Sequence, residues 1–418
     1  MSNELQATKS ASTLRKNATA YQKIVMPDGS VTGGRFDRSI TSQVIFPDDM
    51  TGLSYLDIGT MEGFFPFEAL RRGASRVVGL DMNANYVHNA NVLAQKQGLP
   101  GEFHQLDIDF ETPTGQFDYV SCLNVLHHLI DPLEVIQKLI SVTKKRLILE
   151  VAGLGYHERK KLKIPWVAGK LIEKMPLIYV RKKALTGNRQ KFFISAPAMK
   201  NYLLGHRFVF SDVEIIPSPF KGRYIAIGHR RNVRRLVIVA GPTAAGKSTL
   251  IDRMSKGQAS DVAEHLNLSD PSTWSTQEVE DLSKSTVADY GDIVVPFDFL
   301  SRLKWNITDY RKLQLMDLIR CAEEVQVLTV GATPELLREQ FESSKIQSYV
   351  KKHGKQPNKG PLVELRDSYR DPEAVRNFYQ HWFDFVSTGG WKHSVIANQD
   401  QPALSDPMQW IQSVDWQG

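Results

Sequence analysis

From Leu53 onward the chain alternates short apolar runs with amphipathic stretches. "LSYLDIG" (53–59), "RVVGLDM" (76–82), "GEFHQLDI" (101–108), "FDYVSCLN" (117–124) and "KRLILEVAG" (145–153) have the length and apolar density of buried strands. "FFPFEALRRGA", "ANYVHNANVLAQKQG" and "DPLEVIQKLISVT" fall between them with helical spacing. This β-α-β-α order predicts a parallel sheet with helices on both faces. "RFVFSDVEIIPSPFKGRYIAIGHR" (207–230) predicts a late strand pair closing that sheet. A new strand, "LVIVAG", follows almost at once and opens a second alternation. Its later members are "YGDIVVPFD", "EEVQVLTVG" and "SVIAN", with helix "TPELLREQF" before the last. The predicted fold class is α/β, in two domains that each hold a mainly parallel sheet. The expected boundaries are a flexible arm over 1–24, a first domain over 25–231 and a second over 232–418. The basic stretch "RNVRR" serves as the linker.

Composition narrows this picture only slightly. A chain of 418 residues, 42% hydrophobic and 23% charged, has material for two or three globular domains. The net charge of +6 permits an anionic partner without demanding one. Two cysteines, Cys122 and Cys321, make neither a disulfide framework nor a zinc spacing, which points to a reducing compartment. The polar N-terminus carries no secretory pattern, and no run of about 18 apolar residues is present. The expected location is the cytoplasm, with no membrane span. Oligomeric state is not legible.

Candidate chemistry gathers first at the ends of the early strands. Asp57 closes the first strand, and Gly59 and Gly63 follow, where the backbone must turn tightly near a ligand. Asp81 closes the second strand, about 20 residues on, where an acid accepts from ribose hydroxyls. A dinucleotide site needs G-x-G-x-x-G, yet Met61 stands in the middle position, and Asp57 and Glu62 flank the loop. Acids there repel pyrophosphate and suit a sulfonium or amino group. S-adenosylmethionine is therefore preferred to NAD. Asp107, after the third strand, is placed for an adenine amino group, and Asn124, at the fourth, for the reactive end of the cofactor. Each residue alone also fits an ordinary polar strand end. His127 and His128 follow as candidate bases or as packing and capping residues.

At these residues the chain resembles class I S-adenosylmethionine-dependent methyltransferases. The branch it most resembles is that of the tRNA wobble-uridine carboxymethyltransferase-like proteins, whose upstream glycine-rich element is echoed by "PDGSVTGGRFD". The resemblance covers roughly 25–230 and implies the fold and the cofactor, not the acceptor. The segment after the fifth strand, "GYHERKKLKIPWVAGKLIEKMPLIYVRKKALTGNRQKFF", is basic with aromatics interleaved. It reads either as a solvated face or as an anion-binding lid probed by Tyr156, His157, Arg181 and Lys182.

"GPTAAGKS" over Gly241–Ser248 fits G-x-x-x-x-G-K-[ST] in full, after a strand and before a helix. Gly241 and Gly246 let the loop wrap phosphate oxygens, Lys247 reaches the β/γ-phosphates of ATP, and Ser248 ligates Mg²⁺ beside Thr249. Asp298 ends a strand and holds Mg²⁺ through water or accepts a proton from an attacking hydroxyl; the alternative is a cap on the helix "FLSRLKW". The basic stretch 342–371 reads as a closing lid with Arg366 or Arg370 as a clamp, or as exposed loop and helix. The half lacks a guanine-recognition N-K-x-D. It resembles P-loop kinase-like proteins found beside cell-surface glycan enzymes. The combined expectation is a bifunctional methyltransferase–kinase acting on a glycan or small-molecule acceptor. The alternative is an RNA-modifying methyltransferase with a nucleotide-driven clamp, whose basic segments hold nucleic acid.

Overall fold

The computed structural model describes residues 21–153, 160, 165–181, 191–206, 209–300, 314–398 and 403–416. The chain divides into two compact units. The first runs to Arg230, and the second comprises Val209 and the chain from Arg231.

The first unit is built on a seven-stranded sheet of order β3-β2-β1-β4-β5-β9-β8. Its strands are β1 (Ser54–Ile58), β2 (Arg76–Asp81), β3 (Gly101–Gln105), β4 (Phe117–Leu123), β5 (Thr143–Ala152), β8 (Phe210–Pro217) and β9 (Arg223–Arg230). A separate hairpin joins β6 (Ile178–Arg181) to β7 (Lys191–Ile194). The pairs among β1 to β5 are parallel, whereas β5–β9 and β8–β9 are antiparallel, so the sheet is mixed. Burial explains the composition: β1 and β2 bury every residue but the first, as strands covered on both faces must. The strand order reverses between β1 and β4, and this switch point opens a crevice at the carboxyl ends of the strands.

Residues 21–24, expected in the arm, belong to this unit. Ile24 is buried in its core, and Glu62 accepts from the amides of Tyr21 and Gln22. The helix Ser39–Ile45 follows, an element that the apolar pattern alone does not announce.

The second unit holds a six-stranded sheet of order β11-β12-β10-β13-β14-β15. Its strands are β10 (Asn232–Gly241), β11 (Trp274–Thr276), β12 (Asp289–Asp298), β13 (Ala322–Gly331), β14 (Lys392–Ala397) and the short antiparallel β15 (Leu404–Ser405). The basic stretch expected to be a linker is instead strand. Only Arg231 separates β9 from β10, and Val233 pairs with both Tyr290 and Ala322. Arg234 and Arg235 tolerate this because buried Asp292 accepts both, and Glu324 takes Arg235 as well.

Helix starts follow one local rule in both units. Asp131, Asp371 and Asp406 each precede a proline and accept from two amides of the first turn. The acid satisfies orphan donors, and proline sits where no amide is needed. The long helix Pro372–Gly389 then buries Val375, Tyr379, Trp382, Phe383 and Val386, a stripe at helical spacing. Among the described residues no helix is long and apolar enough to cross a membrane.

Candidate functional site

The crevice of the first unit is a cavity of about 710 Å³. Asp57, Asp81, Asp107 and Asn124 all line it, as does the glycine turn through Gly59. Four successive strand ends thus deliver the polar side chains that the sequence singled out.

The turn itself explains which ligand fits. Gly59 and Thr60 both donate their amides to the carbonyl of Leu80. The Met61 amide goes to Asp81 Oδ2 at 3.0 Å, Gly63 to the carbonyl of Thr60, and Phe64 to the Gln22 side chain. The loop's donors are consumed internally, so it offers no amide cradle to a pyrophosphate. Met61 itself adopts φ +52° and Gly63 φ +89°. A Cβ at Gly63 would come within 2.8 Å of the Phe103 ring, so the position requires glycine on two counts.

Recognition therefore falls to acceptors. Asp57 is buried, and Ser121 donates to its Oδ1 at 2.5 Å. Its Oδ2 has no hydrogen-bond partner among the described residues, and neither does the buried Oδ1 of Asn124. Asn124 holds φ +64°, a left-handed conformation that asparagine tolerates better than most residues. Both oxygens belong to residues that line the cavity. Burial raises the Asp57 carboxyl to about 7, against the hydroxyls of Ser121, Thr60 and Tyr55, which favour its charged form. Burial also raises Asp81, which accepts from Met61 and Asn83.

Two expectations need correcting. Glu62, taken as an acid facing the ligand, is turned onto the backbone of Tyr21 and Gln22 and does not line the cavity. Of the two histidines, His128 lines the cavity, whereas His127 is buried beside it, the ring centroids 4.0 Å apart. Tyr156, His157 and Lys182 lie outside the described residues, as does the side chain of Arg181.

Arg38 was missed. It lines the cavity, pairs with fully buried Glu150 at 2.8 Å and lies over the Phe220 ring at 4.5 Å. The signal was its place directly after "GGRFD", the stretch that carries the family echo.

The second unit has its own cavity, of about 590 Å³, around the loop Gly241–Ser248. Here the contrast with the first turn is plain. Among the described residues the amides of Thr243, Ala244, Gly246, Lys247 and Ser248 make no hydrogen bond. Ala244 at φ +70° and Gly246 at φ +94° bend the chain so that successive amides converge. A Cβ at Gly246 would meet Asn398 Nδ2 at 2.9 Å. Lys247 opens the following helix and donates to the carbonyls of Gly241 at 2.9 Å and Pro242 at 2.7 Å. Burial lowers its ammonium, which Asp298 at 3.8 Å counteracts. β12 lies next to β10 with Gly241 opposite Asp298, so the acid stands directly beside the loop. Thr243 Oγ1 hydrogen-bonds Asp298 Oδ2. Asp298 also accepts from the Leu300 amide; the stretch it was expected to cap continues outside the described residues. Ser248 and Thr249 line the cavity. Arg366 and Arg370 do not; they face Asp367, and Arg366 also Glu342. Lys345 lines it instead.

Residues 49–168 match a family model described as a methyltransferase domain. This stretch, which carries β1 to β5, thus matches a methyltransferase domain. Among curated proteins, a ubiquinone biosynthesis O-methyltransferase of Sodalis glossinidius is 23% identical over 186 residues, covering 37% of this chain and 73% of that protein. A tRNA U34 carboxymethyltransferase of Campylobacter jejuni is 22% identical over 172 residues, covering 41% of this chain and 54% of that protein. The chain thus spans about half the length of the latter. Among solved structures, the chain is similar to a magnesium protoporphyrin IX methyltransferase from Synechocystis with bound SAH, at TM-score 0.34 and 22% identity, covering 46% of this chain and 80% of that one. It is also similar to the N-terminal domain of EvdMO1 with SAH and D-fucose, at TM-score 0.42 and 13% identity, covering 55% and 97%.

The raised Asp57 carboxyl has a consequence for stability. In the unfolded chain it titrates near 4, in the folded chain near 7. Between those values the folded state holds a proton that the unfolded state releases, so this group lowers stability as pH rises through the window. Without ligand, Asp57→Asn is expected to remove that decline, gaining up to roughly 4 kcal/mol over the parent at pH 8 relative to pH 4. Urea denaturation at both pH values measures it, and parallel pH profiles for the two proteins would rule the assignment out.

Proposed function

We propose that the chain is a two-site transferase: a methyltransferase using S-adenosylmethionine in the first unit and a kinase using Mg·ATP in the second. The observation that carries the first half is the ring of Asp57, Asp81, Asp107 and Asn124 around a turn whose own amides are spent. Such a site favours a ligand rich in donors and positive charge.

The residues fit S-adenosylmethionine. Asp57 Oδ2 and Asn124 Oδ1 supply the buried acceptors for its cationic end, Asp81 accepts from ribose hydroxyls, and Asp107 lies where an adenine amino group is received. Bound there, the cofactor supplies an electrophilic methyl group. His128 is the histidine placed to take a proton from an acceptor, and Arg38 adds a cation to the same wall.

The second half rests on the open amides of Gly241–Ser248 and the acid beside them. The loop binds phosphate oxygens through its amides and the helix N-terminus, and Lys247 pairs with the outer phosphates once it leaves its own loop carbonyls. Ser248 and Asp298 are the oxygen ligands suited to Mg²⁺, and Asp298, opposite Gly241 at the start of the loop, is the acid to take a proton from the acceptor hydroxyl. The acceptor is read as a glycan or small molecule.

Mass spectrometry of candidate acceptors after incubation with ATP and deuterated-methyl S-adenosylmethionine tests the whole reading. A product carrying a labelled methyl group, a phosphate or both is expected. Two variants separate the sites. Asp81→Ala removes a buried acceptor and should weaken S-adenosylmethionine binding by about tenfold or more, with ATP affinity unchanged. Calorimetry showing unaltered affinity would overturn the cofactor placement. Lys247→Ala should abolish phosphoryl transfer and leave S-adenosylmethionine binding intact; loss of both activities would point to one shared site.

A further inference from the structure

The stretch "LLREQFESSKIQSYV" breaks its own helical rhythm. Leu337 and Phe341 are four apart, and both are buried. The next buried residue is Ile346, five positions on. In an α-helix five residues turn through about 500°, which would put Ile346 well off the face of Phe341. The structure resolves the conflict with a π segment over Glu342–Ile346. A π turn aligns residues i and i+5, so both apolar side chains reach the core. The extra residue is pushed outward, and the widened turn presents Ser343, Ser344 and Lys345 to the cavity around the Gly241–Ser248 loop.

That turn is tied to the loop. Ser343 and Ser344 donate to the carbonyl of Gln340. The Gln340 side chain accepts from Asn398 Nδ2 at 3.3 Å, and the same nitrogen donates to the carbonyl of Ala245 at 2.8 Å. The connection thus runs from the widened turn through the backbone and side chain of Gln340 and the Asn398 amide to the middle of the loop. Lys345 is close enough to Lys247 for its charge to oppose protonation there. Two ammonium groups lining one cavity beside open amides match a ligand with more negative charge than one lysine neutralises.

We infer that Lys345, set on the widened turn, is the group by which this site distinguishes a nucleoside triphosphate from a diphosphate. Lys247 and the loop amides engage either ligand, and Lys345 adds a contact that only the terminal phosphate of the triphosphate can take. The inference rests on the kinase reading above and adds its specificity residue.

Calorimetric titration of the full chain with Mg·ATP and with Mg·ADP tests it, using Lys345→Gln and Lys345→Arg. Lys345 is exposed, so neither variant threatens the fold. Lys345→Gln should weaken Mg·ATP by about ten- to a hundredfold, the loss of one charge-assisted hydrogen bond, and leave Mg·ADP within twofold. Lys345→Arg should restore most of the difference. If the parent binds both nucleotides and Lys345→Gln weakens both equally or neither, the inference falls while the kinase reading stands. If the parent binds neither nucleotide, both fall together.

Discussion

Whether a glycine turn keeps its amides or spends them decides what each half of this protein can hold. In the first unit Leu80 and Asp81 take the amides of Gly59, Thr60 and Met61, and Gln22 takes that of Phe64. A turn closed in this way has no positive pole to offer. The surrounding carboxylates then become the recognition surface, and an electron-poor ligand is the complement. In the second unit the equivalent donors meet no partner among the described residues, and the adjacent carboxylate, Asp298, is itself restrained by Thr243 and Leu300. Two turns of similar composition thus differ in what they leave exposed: acceptors around the first, backbone donors along the second.

The sequence shows much of this, because the features concerned are local. Strand ends, the acids at them and the aspartate–proline helix starts depend on neighbours within a few residues. The preference against a dinucleotide was also legible, from Met61 and the flanking acids. The structure adds a sharper reason, since Asp81 not only lines the cavity but also holds the turn shut. What the sequence obscures is non-local. Glu62 reads as a ligand-facing acid until the segment 21–22, some 40 residues earlier, is seen to occupy it. Arg38 gains its place only through Glu150, 112 residues away.

The basic stretch after β9 misleads for the same reason. Four arginines in "RRNVRR" look like a solvated linker, because charge runs usually are. Here Asp292 and Glu324, both from later strands, neutralise two of them, and Arg231 donates to the carbonyl of Ser285. Charge in a strand is tolerable when its partners arrive from the adjoining strands, and no window of local sequence contains them.

The π segment is the intermediate case. Its cause, two apolar anchors five residues apart, stands in the sequence, but the effect requires knowing that both anchors must be buried on one face. An α-helix could have satisfied only one of them. The protein accepts poorer hydrogen-bond geometry over Glu342–Ile346 and gains a polar bulge aimed at the loop cavity. Burial of both anchors sets the irregularity, and its position, linked through Gln340 and Asn398 to Ala245, places the bulge beside the loop.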